Sequence, residues 1–441
     1  MTGITAPPTR KRAPGVFAAV FGAFLGLALL KFGNPPIMEE WVAAPTNPYE
    51  FVLNSPWPIA WAYWLFGVVV CAGLACARWP AGFQKAERPV RWLAALPIAW
   101  LGWQVLATAA SLDGRLSGPT LLHFLVCGAC FYLGFLSLRA QHGFFWVGLI
   151  CGFSLVLFSG WGQHFGGLEE TRRYFFQYLY PKMVKAPPDY LKKMSSNRIF
   201  ATLFYPNALA GALLLLLPPS AAAIWRAKER LTAGARAFLV GTLGFGALAC
   251  LYWSGSKGGW LLMLLLGLIA LLRQPFPKNL KVAIVTVVLA GGLAGFVWKY
   301  AGFFQRGATS VSARFDYWRA ALQTTVKYPL CGTGPGTFAI PYQRIKRPES
   351  EMSRLVHNDY LEQASDSGVV GALLYTLLIG WALAWSLKRT AGDAGGQAFA
   401  VWLGVLGWAL QGLFEFSLYI PALAWPAFAF LGWLLREPED R

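Results

Sequence analysis

The chain has 441 residues, of which 56% are hydrophobic and only 13% charged, with a mean hydropathy of +0.47. A soluble globular domain carries about a quarter charged residues, so that class is excluded. The formal net charge of +18 does not indicate nucleic acid, because most of the excess lies in short basic segments between apolar runs, as in the inside loops of membrane proteins.

Apolar runs of about 20 residues, enough to cross a bilayer as helix, recur along the chain. Helix is required because lipid offers no partner to open backbone groups. The sequence predicts an all-α polytopic membrane protein with about twelve spans, near 14–32, 57–78, 91–111, 119–138, 143–161, 199–225, 236–253, 257–273, 281–303, 367–387, 397–416 and 418–435. It reads as one integral domain. Spans 1–5 occupy 14–161, a loop 162–198, spans 6–9 199–303, a large loop 304–366 and spans 10–12 367–435. The tail before Ala13 reads as disordered. The first run follows Arg10, Lys11 and Arg12 and lacks a small-residue cleavage site, so it reads as an uncleaved span.

Basic residues set the orientation. With the N-terminus inside, the inside segments hold Arg10 to Arg12; Arg78, Lys85, Arg88 and Arg91; Arg139; Arg226, Lys228, Arg230 and Arg236; Arg273, Lys278 and Lys281; and Lys388 and Arg389. Both termini are then cytoplasmic. Two outside loops depart from the rule: 162–198 has net charge +4 and 304–366 net +2. Long loops translocate regardless of charge. Their cations stand beside spans and among aromatics, in "RRYFFQYLY" and "ARFDYWRAAL", which points to an outward site for an anion. The second stretch predicts an amphipathic helix along the membrane surface carrying Arg314.

Seven cysteines are present, six of them within apolar runs. Cys127 and Cys130 form a C-x-x-C inside a span and read as packing. Only Cys331 lies in a loop, so no disulfide framework is indicated.

Four stretches carry candidate chemistry. In "SSNRIFATLFYPNALAG", Arg198 enters an apolar span, where a guanidinium needs a cavity, water or an anion, and Pro206-Asn207 is placed to break the helix. In "SGSKGG", Lys257 stands among glycines at a helix start, a favourable place for an anion. "YPLCGTGPGTF" reads as a tight reorienting turn; it lacks the pattern of a nucleotide-binding loop. In "RLVHNDYLEQASDSGVVGALLY", His357 stands just before a span, where it is suited to act as a general base. Gly368 and Gly371 then offer a smooth face for a packed helix. The four histidines, at 123, 142, 164 and 357, are scattered, no H-E-x-x-H or outside D-x-D occurs, and neither a metal site nor a cofactor is expected.

Taken in order, "ATLFYPNALA", "SGSKGG", "ARFDYWRAAL" with "YPLCGTGPGTF", and an H-[NSQ]-x9-G-x-x-G match at His357, Asn358, Gly368 and Gly371 resemble the O-antigen ligase family and its polymerase and protein O-oligosaccharyltransferase relatives. The resemblance covers residues 195–435. It implies a GT-C-like fold and an inverting, metal-independent transfer of a glycan from undecaprenyl pyrophosphate to an acceptor hydroxyl, with lipid A-core as the first candidate acceptor. It implies a bacterial inner-membrane location with the site facing outside. His357 takes the role of the family's base, and Arg198, Lys257 and Arg314 those of its pyrophosphate-binding cations. Lys257 stands where the family more usually has Arg, which keeps the charge but loses bidentate phosphate contact. Asn358, Asp359 or Glu362 are the candidates to orient the imidazole, with Arg319 and Arg354 as supporting cations. A lipid or polysaccharide transporter is the reading from another class; it predicts paired broken spans in the two halves, and only "YPNA" is evident.

Overall fold

The computed structural model describes residues 13–53, 56–76, 88–138, 143–180, 196–203, 205–305, 309–348, 350–390 and 396–436. The predicted N-terminal tail and several of the loop cations, among them Arg78, Lys85, Arg139, Lys182, Lys185, Lys192 and Lys193, lie outside the described residues.

Among the described residues the structure is helical throughout. The helices are α1 (Ala13–Lys31), α2 (Pro48–Leu53), α3 (Ile59–Cys76), α4 (Arg88–Ala109), α5 (Gly114–Tyr132), α6 (Gly143–Gly162), α7 (Leu168–Tyr174), α8 (Pro206–Arg226), α9 (Ala233–Ser254), α10 (Lys257–Arg273), α11 (Lys278–Gln305), α12 (Thr309–Lys327), α13 (Ala339–Ile345), α14 (Asp359–Thr390), α15 (Gln397–Gln411) and α16 (Pro421–Leu435). Every predicted span falls on a helix. Eight helical segments are long and apolar enough to cross a membrane; α10, α15, α16 and the apolar part of α1 are shorter. The protein is an all-α polytopic membrane protein.

The bundle is organised around α16. This helix is apolar on every side, and all its residues except Trp433 are buried, as such a helix must be. It packs on α1, α4, α5, α8, α14 and α15. The α1–α6 pair crosses at glycines: a Cβ at Gly26 would lie 2.4 Å from the Gly148 carbonyl oxygen, so only small residues permit that approach. At the other extreme α11 leans mainly on α10, and Val287, Val297 and Trp298 are left exposed, a surface suited to lipid.

Three predicted boundaries move. The segment read as a loop from 162 stays helical through α7, after a kink at Phe165–Gly166. Glu169 and Glu170 in the first turn of α7 and Arg172 and Arg173 in the last suit the helix dipole. The span read from 199 begins at Pro206, with Tyr205 as the preceding residue in an extended conformation. Pro206 therefore opens α8, where its missing N–H is no loss, rather than breaking a helix, and Arg198 lies in the extended lead-in. The last outside loop ends at Asp359, because Asn358 caps α14 through its side-chain oxygen, 3.0 Å from the amides of both Tyr360 and Leu361.

Gly368 also departs from the expected smooth helix face. It has φ 70° and ψ −177°, and it breaks α14. The backbone groups released there are taken by the glycine-rich loop: Val369 N–H bonds the Pro329 carbonyl at 2.8 Å, Thr333 N–H the Ser365 carbonyl at 3.1 Å, and Gly334 N–H the Asp366 carbonyl at 2.8 Å. Buried backbone groups demand such partners. A Cβ at Gly368 would fall 1.8 Å from the Leu330 oxygen. "YPLCGTGPGTF" is thus a docking loop fitted into the break.

Candidate functional site

The N-termini of α8, α10, α14 and α16 and the C-termini of α9 and α15 meet at one end of the bundle. The turn 412–416 between α15 and α16 lies at their centre, and it carries Glu415, the one acid between Gln397 and Leu435. Its side chain is 2% exposed and accepts from four groups. One oxygen receives Arg314 and, at 2.5 Å, the Asn207 amide. The other receives the Tyr205 hydroxyl at 2.6 Å and His357 Nδ1 at 3.2 Å. Burial alone would push the Glu415 carboxyl up. Arg314 and His357 outweigh it and hold the carboxyl at about 2, so it is ionised. An ionised carboxylate has no proton to give, so Nδ1 carries the hydrogen and Nε2 is the basic nitrogen of the neutral ring.

His357 is half-buried, with its side chain 24% exposed. Its ring lies 5.8 Å from Tyr317, near parallel, and 4.8 Å from Phe416, edge-on. Its backbone φ is +55°. A non-glycine residue in that region costs on the order of 1–3 kcal/mol, which the surroundings must supply. They do so from both sides. Val356 N–H bonds Glu362 at 2.8 Å, Trp318 Nε1 reaches the His357 carbonyl at 3.4 Å, and Asn358 Nδ2 bonds the Leu413 carbonyl at 2.8 Å.

The three predicted cations converge on this hub. Arg314, on α12, also donates to the Phe414 carbonyl at 2.9 Å. Arg198 donates to the Ser254 carbonyl at 2.7 Å and to Asn207 Oδ1 at 2.9 Å, so Asn207 links Arg198 to Glu415. Burial lowers the Arg198 pKa and Glu415 opposes that shift. Lys257 is the first residue of α10, directly after Ser256, whose side chain caps the helix. Its ammonium lies 5.2 Å from the Tyr300 ring centre and feels the charges of Arg198 and Arg314. Three cations in a poorly solvated corner, with four helix N-termini nearby, favour a bound anion.

The predicted supporting residues bond mainly to nearby backbone groups and acids. Asn358 is the helix cap. Asp359 accepts the Leu418 amide at 3.1 Å and fixes the turn before α16. Glu362 holds Val356. Arg319 lies 3.8 Å from Asp316, and Arg354 bonds Glu40 at 2.7 Å and the Ile37 carbonyl at 3.1 Å. The carboxylate on the imidazole is Glu415, which the sequence reading missed. Its signal was present: a lone acid in a long apolar stretch is costly unless it has a task.

Fold and cluster together define an integral membrane protein with a cluster of cations and a histidine–carboxylate dyad at one end of its bundle. Residues 242–376 match the family described as O-antigen ligase. A curated protein of Haemophilus influenzae, described as an uncharacterized protein, is 28% identical over 149 residues, 29% of this chain and 37% of its own length. The chain thus aligns with little more than a third of that relative. The family segment contains Lys257, Arg314 and His357, whereas Arg198, Tyr205, Asn207 and Glu415 lie outside it.

Proposed function

We propose that the protein is a glycosyltransferase of the O-antigen ligase type. It moves a glycan from undecaprenyl pyrophosphate to an acceptor hydroxyl, with lipid A-core as the acceptor, at the outer face of the bacterial cytoplasmic membrane. Both termini are cytoplasmic in this reading. The observation that carries it is the cluster in which Arg314 bonds Glu415 directly, Arg198 reaches it through Asn207, His357 bonds the same carboxylate and Lys257 feels both guanidiniums. His357 Nε2 takes the acceptor proton as the acceptor oxygen bonds the anomeric carbon. The carbon–oxygen bond to pyrophosphate breaks on the opposite face, which inverts the configuration. The charge that develops on the leaving lipid pyrophosphate is met by fixed cations that need no reorganisation. Glu415 holds the tautomer and stabilises the imidazolium that forms. The cations take over the neutralising role a divalent metal fills in other transfers from pyrophosphate. Repeat-unit polymerisation and protein O-glycosylation use the same chemistry with another acceptor.

The test is transfer by the purified protein in liposomes holding a lipid-linked glycan, with lipid A-core, a second glycan lipid or an acceptor peptide in separate arms. The glycan is expected on lipid A-core, with the rate unchanged by a chelator and reduced on the order of 10³-fold by His357→Ala. Product in another arm alone reassigns the acceptor. Full activity of His357→Ala, or collapse in the chelator, overturns the mechanism.

A further inference from the structure

We infer that Glu362, in its protonated form, is a positioning residue that holds the His357 base through the backbone of Val356. The inference rests on the reading of His357 as the base.

Glu362 and Asp366 stand one turn apart on α14, so their side chains share a face. Both are fully buried. Glu362 Oε2 accepts the Val356 amide at 2.8 Å. Asp366 Oδ2 accepts the Gly336 amide at 2.6 Å and the Tyr419 hydroxyl at 3.0 Å. The second oxygen of each, Glu362 Oε1 and Asp366 Oδ1, has no hydrogen-bond partner. Two anions so placed would repel in a dry interior, and two orphaned oxygens would each carry a desolvation cost. A proton on one of the two acids removes the repulsion. Asp366, with two donors on one oxygen, is the anionic member. Glu362, with a single backbone donor, carries the proton on Oε1.

The rest of the surroundings fits that assignment. Asp359, the next acid on the helix, is turned to the Leu418 amide. Tyr419 OH also receives Gln363 Nε2 at 3.0 Å. Gln363 is in turn held by Trp100 at 2.8 Å and Gln104 at 3.0 Å. The pair therefore ties the segment bearing His357 and the loop around Gly336 to α14, with Tyr419 holding Asp366 from the turn before α16. Because Val356 directly precedes a residue at φ +55°, release of its amide frees the left-handed backbone that aims the imidazole.

The experiment measures kcat and donor KM for Glu362→Gln and Glu362→Met, each also combined with His357→Ala. Gln keeps the acceptor for Val356 and mimics the protonated acid, so kcat is expected within about threefold of wild type, near the limit of independent effects. Met fills the space without an acceptor, so kcat is expected to fall about 10²-fold, the scale of a misplaced catalytic group, with donor KM little changed. In the His357→Ala background Met is expected to cost less than about twofold more. A wild-type kcat for Glu362→Met overturns the positioning role. So does an equal loss in both backgrounds, which marks a merely structural role. A Glu362→Gln loss as large as that of Met overturns the protonated form, and Glu362→Leu, which likewise removes the acceptor for Val356, takes the place of Glu362→Met if that variant does not fold. Failure of the base reading itself shows separately, as full activity of His357→Ala alone.

Discussion

The segment 353–358 and the turn 412–416 face each other across the site, and they are built in opposite ways. The first presents His357 partly exposed, on a strained backbone held by bonds at the neighbouring residues. The second presents Glu415 almost fully buried, with donors on both carboxylate oxygens. A saturated buried charge cannot move without leaving several partners unpaired. Glu415 is thus the fixed point, and the base is placed against it. Arg314 is positioned from the same side, through Glu415 and the Phe414 carbonyl.

The contrast breaks most sharply at Glu415. Glu415→Gln keeps the shape but gives His357 Nδ1 a partner that no longer fixes the tautomer, and it leaves Arg314 without its counter-charge. Transfer is expected to fall by about 10³-fold or more, at least as much as for His357→Ala. Single-turnover rates on one donor decide it, and a Glu415→Gln enzyme within tenfold of wild type removes the carboxylate from the mechanism. The two guanidiniums sharpen the contrast next. Arg314 touches the fixed point directly and Arg198 only through Asn207. Arg314→Ala should therefore lower kcat about 10²-fold and weaken the donor, whereas Arg198→Ala should mainly raise donor KM. Equal kcat losses in both would dissolve the distinction. Smaller again is Asn358→Ala. Loss of the α14 cap should lower stability by about 1 kcal/mol, seen as a lower melting temperature, and loss of the bond to the Leu413 carbonyl, which helps to hold the His357 backbone, should lower the rate per folded molecule by about tenfold. A loss of rate as large as for His357→Ala would make Asn358 part of the chemistry.

The same contrast explains what could be read from the sequence. Spans were legible because bilayer thickness imposes a length on apolar runs, and the cations and His357 because charges beside such runs need a reason. The turns were not. Pro206 as a helix breaker and Pro206 as a helix opener look identical until the hydrogen bonds of 196–207 are known. Gly368 and Gly371 have helix-packing spacing, yet Gly368 is required by a loop arriving from residues 329–336. Asp359, Glu362 and Asp366 stand out in the sequence because all three follow His357 closely. Proximity along the chain is a poor guide here: Glu415 is 58 residues away and bonds the ring, whereas the near acids hold backbone amides.

The ionised state of Glu415 is open to test by pH. The Glu415 carboxyl is held at about 2, below the ordinary value of 4.5. A depressed carboxylate contributes stability that is fully present above the ordinary value and is lost as pH falls toward the depressed one. The difference in melting temperature between wild type and Glu415→Gln should therefore close as pH falls from the ordinary carboxylate range toward about 2. If the stability difference instead closes near neutral pH, together with the rate, the carboxylate is not the ionised fixed point, and the base and its partner titrate as one unit.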